Sequence, residues 1–232
     1  MNIFFQLIQN EATTTDSTAI IENTTSSALD AISLIMKGGI VMIPIAILSI
    51  IAVYLTIERY FTIKKAGILD SKFMGNIKSM VLDGDIKSAQ TLCHSNGTPI
   101  GLMIEKGLSR IGKPLKDISV AVENVGKLEV YKLEKGMPIL ATISGAAPML
   151  GFLGTVTGMI RTFNQMQDSG QQITADLLSG GIGEAMMTTV AGLIVGIFAY
   201  IGYNLLSSMI NKVVYTMEAT SVEFLDILHE PA

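Results

Sequence analysis

Tryptophan is absent from this chain, cysteine occurs once and histidine twice. A single Cys93 excludes an intramolecular disulfide and a cluster of thiolate ligands. Cys93 and His94 are two neighbouring donors without companions, and His229 lies far from both. No metal and no other cofactor is therefore expected. Charge is also scarce, at 16% of residues, against about 25% in ordinary soluble domains. The net charge of -4 leaves no basic excess for a nucleic-acid partner. A Ser-His-Asp set and a phosphate-binding glycine loop are both missing, so no enzymatic activity and no catalytic residues are expected.

Apolar residues make up 49% of the chain, glycine contributes 22 positions and methionine 14, and mean hydropathy is +0.50. That balance belongs to a membrane protein, and frequent glycine suits helices that pack closely in lipid. Met1 to Asn10 carries no Lys or Arg, and Ile3-Phe4-Phe5 is too short for the apolar core of a cleavable signal. Thr13 to Ser27, rich in Ser, Thr and Asn, is expected to form a mobile tail.

A bilayer core takes about 20 consecutive apolar residues per helix. Three segments meet this requirement, and they divide the chain. Residues 1–37 form an outside tail, 38–58 a first span, 59–135 a helical cytoplasmic domain and 136–163 a second span. A short outside loop follows at 164–176, then a third span at 177–211 and a cytoplasmic helix at 212–232. All but Lys37, Arg161 and Lys212 of the 16 Lys and Arg residues fall between Arg59 and Lys135. Cations collect on the cytoplasmic side, so the N-terminus is expected outside and the C-terminus inside. The expected fold is an all-α integral membrane protein with three spanning helices and long cytoplasmic extensions.

Local signals refine this outline. Pro44 predicts a kink or broken turn in the outer half of the first span. Leu29, Ile32 and Ile35/Met36 fit either a short interfacial helix over 27–37 or a plain lead-in to the span. Asp83-Gly84-Asp85 predicts a turn that caps a helix over 86–94, and Asn96-Gly97-Thr98-Pro99 predicts a break. Ile118, Ala121, Val122, Val125 and Leu128 have helical spacing, and Val213, Val214, Met217, Val222 and Leu225 mark a second apolar helix face.

The second span carries small residues at Ala147, Gly151, Gly154 and Gly158, with hydroxyls at Thr155 and Thr157. The third carries Gly192, Gly196, Ala199 and Gly202. Gly151, Gly154, Gly158, Gly192 and Gly196 are the expected helix-packing positions, because small residues let backbones approach closely in lipid. Packing does not account for Glu184, Thr188 and Thr189. A charged carboxylate near the bilayer centre costs about 2.5–3.5 kcal/mol or more, so such groups face a cavity or the bundle interior. Leu177, Leu178 and Ile182 continue the apolar helix back to Asp176, which would place Glu184 about two turns inside; an interfacial loop at Gly180–Gly183 is the competing reading.

The segments GAAPMLGFLGTVTGM, from Gly145, and GIGEAMMTTVAGLIVGI, from Gly181, resemble the TolQ/ExbB/MotA proton-channel family, most closely its ExbB branch. The likeness extends to all three spans, the charge layout and the Glu58-Arg59 exit of the first helix, but not to the N-terminal tail. The resemblance implies a homo-oligomer in the bilayer, usually a pentamer. Its second and third helices surround a space occupied by single-span ExbD-like subunits, whose membrane aspartate carries protons. The resemblance also implies work on a TonB-like partner, driven by ion flow across the inner membrane. Matched position by position, Glu184 takes the place of the family's third-helix glutamate, Thr155 the threonine of the second helix and Thr189 that of the third. Spacing alone points to Thr188, about 40° from Glu184 around a straight helix, rather than Thr189 at about 140°. Both remain candidates. A TolQ-like envelope motor, a gliding or flagellar stator, and a non-conducting scaffold are the alternatives.

Overall fold

The computed structural model describes residues 39–68, 72–169 and 175–229, and no strand occurs among them. The described helices are α1 (Met42–Ala66), α2 (Phe73–Leu82), α3 (Ile86–Asn96), α4 (Pro99–Leu108), α5 (Leu115–Leu133), α6 (Met137–Ser169) and α7 (Ala175–His229). Three stretches are long and apolar enough to cross a membrane: Met42–Ala66, Leu115–Gln167 and Gly180–His229. The apolar part of the second is α6. The expected tail and interfacial helix over 1–37 lie outside the described residues.

Pro44 does not kink α1. The helix begins at Met42, so Pro44 falls in its first turn, where backbone N–H groups have no helical acceptor to lose. Gly136, at φ +86, separates α5 from α6, a conformation that a side chain would strain. A second proline, Pro148, is inside α6 and withholds the N–H that the Ser144 carbonyl would otherwise accept. The short loop expected over 164–176 is largely helix: α6 continues to Ser169 and α7 begins at Ala175. Gly180–Gly183 are accordingly helical, and Glu184 lies two and a half turns into α7. The boundary expected at 211/212 is likewise crossed by a single helix of 55 residues, because no proline interrupts it and its buried stripe continues.

Chain contacts divide the molecule into two units: the described parts of Met1–Leu48 with Ala146–Val195, and Ser49–Gly145 with Gly196–Ala232. The second unit holds α2 to α5. Asp85 caps α3, its carboxylate accepting the Ser88 N–H at 3.2 Å, and left-handed Gly97 ends that helix. Thr98 then caps α4 by accepting the Gly101 N–H at 3.2 Å, with Pro99 in the first turn. Ile77, Ile100, Ile104, Leu108, Val122 and Phe224 are fully buried. A Cβ on Gly107 would collide with the Phe224 ring and approach Val122 Cγ2 to 2.9 Å. Phe224 of α7 is thus seated directly on the α4 backbone. Arg59 makes a two-pronged pair with Glu58, Nε to Oε2 at 2.6 Å and Nη2 to Oε1 at 3.0 Å. Its Nη1 donates to the Lys132 carbonyl at 3.2 Å, so a cation meets the exposed carbonyl end of α5.

Two of the expected apolar faces are rotated. On α5, Ile118, Ala121 and Val122 are buried, but Leu128 is 61% exposed and the buried line continues through Gly126 and Leu133. On the last part of α7, Val222 is 59% exposed. The buried stripe is Leu206, Ile210, Val213, Met217, Thr220, Phe224 and Ile227, at alternating steps of four and three.

The first unit joins the start of α1 to the later part of α6 and the early part of α7. Ala147, Gly151 and Gly154 of α6 and Ala185, Thr188 and Gly192 of α7 are buried. Large side chains such as Met149, Phe152, Val190 and Ile194 remain exposed. Apolar side chains of this size suit contact with lipid or neighbouring membrane helices.

Candidate ion-pathway site on the second and third spanning helices

Small residues bring α6 and α7 into backbone contact. A Cβ on Gly151 would lie 2.9 Å from the Thr188 carbonyl oxygen and 3.0 Å from Thr189 Cα. On Gly192 it would lie 2.5 Å from the Ala147 carbonyl oxygen, and on Gly158 2.9 Å from Ala185 Cβ. On Gly154 it would overlap the Thr188 side chain itself. Gly151, Gly154, Gly158 and Gly192 therefore share one close helix crossing, and Gly196 is buried further along α7.

Polar groups are set into this crossing. The Thr188 hydroxyl, on a residue only 1% exposed, lies 2.7 Å from the Ala185 carbonyl and 3.2 Å from the Gly151 carbonyl. The half-buried Thr189 donates to the same Gly151 oxygen at 3.0 Å. One carbonyl on α6 thus receives hydroxyls from two successive residues of α7. A buried hydroxyl in a span needs such an acceptor, since lipid offers none. Thr155 is one turn beyond Gly151; its hydroxyl donates within α6 to the Phe152 carbonyl at 2.6 Å. The structure therefore joins Thr188 and Thr189 at Gly151, and leaves Thr155 adjacent on its own helix. Glu184 precedes Thr188 by one turn of α7; its side chain lies outside the described residues.

Two contacts escape a reading of glycine stripes alone. A Cβ on Gly181 would collide with the Thr162 side chain, and buried Thr162 bonds back to the Gly158 carbonyl at 3.0 Å. This extends the crossing towards the start of α7. The signal was a small residue in α7 facing a threonine, rather than a glycine, in α6. A cavity of about 100 Å³ also lies beside the crossing, lined by Gly39, Ile40 and Val41, by Gly154, Thr157, Gly158 and Arg161, and by Ala185.

Among the described residues no group of His, Cys, Asp and Glu is placed to hold a metal ion. Cys93 is buried, whereas His94 is exposed with Nδ1 3.4 Å from Glu105 Oε2. The two neighbours thus face different surroundings.

Comparison with known proteins agrees with this frame. Residues 95–219 match the MotA/TolQ/ExbB proton channel family. The chain is 32% identical over 176 residues to the putative biopolymer transport protein ExbB-like 1 of a Synechocystis strain, covering 75% of this chain and 69% of that one. It is 35% identical over 104 residues to the Tol-Pal system protein TolQ of Haemophilus influenzae, covering 45% of each. It is also 36% identical over 90 residues to the biopolymer transport protein exbB1 of Vibrio cholerae, covering 39% of this chain and 40% of the relative. With a match over more than half its length and three helices fit to cross a membrane, the chain belongs to the MotA/TolQ/ExbB proton channel family and is ExbB-like.

Proposed function

We propose that this chain forms the ring of an ion-driven motor in the bacterial inner membrane, with Glu184 at the ion pathway. The observation that carries the reading is the crossing just described, in which Thr188 and Thr189 bond to Gly151 one turn from Glu184. Thr188 is occupied by packing within the chain, while the partly exposed Thr189 retains a side available to a pathway or a neighbouring subunit. Thr155 adds a hydroxyl on the adjacent helix. In this reading five copies surround single-span ExbD-like subunits that supply the proton-carrying aspartate, and Glu184 tunes or gates that path.

Orientation follows the cation distribution, with the N-terminus periplasmic and the residues between α1 and α6 cytoplasmic. One charge crossing the membrane yields about 2.3 kcal/mol per 100 mV, so each mechanical step consumes several ions. The work is energising a TonB-like protein for outer-membrane transport, in line with relatives named for biopolymer transport. The similarity to TolQ supports a second reading, an envelope motor with a different partner. Co-purification separates the two: a TonB-like third component supports the first, and a Tol-type component the second.

The site is tested by Glu184→Gln. Energy-dependent transport is expected to fall to background while membrane insertion and ring mass stay unchanged. Full transport in that variant would sink the assignment and favour a non-conducting scaffold. Repeating the assay without Na⁺ distinguishes proton from sodium coupling.

A further inference from the structure

We propose that the cavity between the end of α1, the α3–α4 turn and the end of α5 binds the headgroup of an anionic phospholipid. This does not depend on the ion pathway, only on α1 crossing the membrane. The cavity has a volume of about 570 Å³, and its polar lining comprises Thr62, Lys65, Asn96, Thr98, Glu129 and Lys132.

The lining leaves one positive charge unmatched. Lys132 Nζ is 2.6 Å from Glu129 Oε1, which neutralises that pair. Among the described residues no carboxylate pairs with Lys65. A phosphodiester, with its single negative charge, matches this excess. The hydrogen-bonding groups ask for more than a bare anion. Thr62 donates its hydroxyl proton to the Glu58 carbonyl at 2.9 Å, so towards the cavity its oxygen is an acceptor. A headgroup that carries hydroxyls beside its phosphate, such as phosphatidylglycerol, supplies both kinds of group. Thr98 already accepts the Gly101 N–H and keeps its own hydroxyl proton to give to an anion.

Position selects a lipid over a soluble phosphate. The uncharged run of α1 ends at Ile57, and the exposed aromatics Tyr60 and Phe61 follow; aromatic side chains at this point mark the membrane interface. Lys65 comes about one turn later and can reach back along its apolar stem to the headgroup layer. Ala66, Pro99 and Leu133 give the cavity an apolar side suited to the glycerol and upper acyl region. A free phosphate has no use for that surface.

The test uses the full chain in nanodiscs of phosphatidylcholine with or without phosphatidylglycerol. Retained lipid is read by native mass spectrometry and unfolding by thermal melting. Wild type is expected to retain phosphatidylglycerol and to melt higher in its presence. Lys65→Gln should lose the melting increment and retain about tenfold less of the lipid, while Lys65→Arg restores both. Lys127→Gln, which removes a lysine outside the cavity, should behave like wild type. The proposal is overturned if Lys65→Gln equals wild type, or if Lys127→Gln falls as far. Equal protection by inorganic phosphate in phosphatidylcholine discs also overturns it, as the site would then serve a soluble anion.

Discussion

Thr188 and Thr189 differ by one position, and their hydroxyls meet the same Gly151 carbonyl from different degrees of burial. Angular spacing from Glu184 could not separate their roles, because spacing on one helix does not say which side meets the next. The small residues on both helices decide that, and they bury Thr188. Thr188→Val keeps the shape and removes the hydroxyl, and should destabilise the helix pair by about 1 kcal/mol, the scale of interhelical hydrogen bonds in membranes. Gly154→Ala should cost about 1–3 kcal/mol by overpacking against Thr188. Adding Thr188→Ala should recover part of that loss, since the clash is between those two residues; simple additivity in a double-mutant unfolding cycle would contradict the contact. Cys93 shows the same dependence on surroundings. Burial first, and then the Glu105 charge, push its thiol up to about 12. Maleimide at pH 8 should leave it unmodified in the folded protein and label it once the chain is unfolded. Asp85 shifts the other way: its hydrogen bonds with Ser88 hold the carboxyl below its usual 3.8. The cap's contribution is therefore full above that value and disappears as pH falls through the lower folded value. Asp85→Ala should lower melting at neutral pH and flatten the acid dependence of stability below about pH 4.

At the scale of elements, α7 changes character along a single buried stripe. Ala185, Thr188, Gly192, Gly196, Ala199 and Gly202 occupy it first, and Leu206, Ile210, Val213, Met217, Phe224 and Ile227 later. Small residues serve close packing where lipid surrounds the helices. Large ones bury more apolar area, as Phe224 does against Gly107 of α4. Helical periodicity and the Gly-rich runs were legible directly, as were the cap at Asp85 and the break at Asn96-Gly97-Thr98-Pro99, since each depends on neighbours in sequence. The phase of the later stripe was less legible. Val222 is as apolar as the buried Val213, but Phe224 takes the buried position because Gly107, far away in sequence, leaves room for its ring. Phe224→Ala should cost about 3–5 kcal/mol in thermal or denaturant unfolding, the usual range for a buried phenylalanine. Loss below 1 kcal/mol would mean that this seat is not what holds the end of α7. Pro44 and the 164–176 segment were misjudged for related reasons. A proline disrupts a helix only where a turn precedes it, and a polar run such as Asn164 to Gln167 can continue a helix beyond its apolar length.

Across the whole molecule, three uncharged segments and a concentration of cations between two of them were enough to recognise an all-helical membrane protein. The GAAPMLGFLGTVTGM and GIGEAMMTTVAGLIVGI segments carried the family likeness, and the match over residues 95–219 establishes the family. Contacts such as Arg59 with the Lys132 carbonyl could not be anticipated, since they join positions 73 residues apart. The proposed ring and its partners would use surfaces that complete themselves only between chains. The central claim, that Glu184 stands on the ion pathway, is tested by proton flux. The chain is reconstituted in liposomes together with the ExbD-like single-span subunit proposed above, and dissipation of an imposed pH gradient is followed in Na⁺-free buffer. Wild type and the control Glu218→Gln, an acid of the last third of α7, should both collapse the gradient, whereas Glu184→Gln should slow it by at least tenfold with the complex intact. Equal flux through Glu184→Gln and wild type would contradict the account.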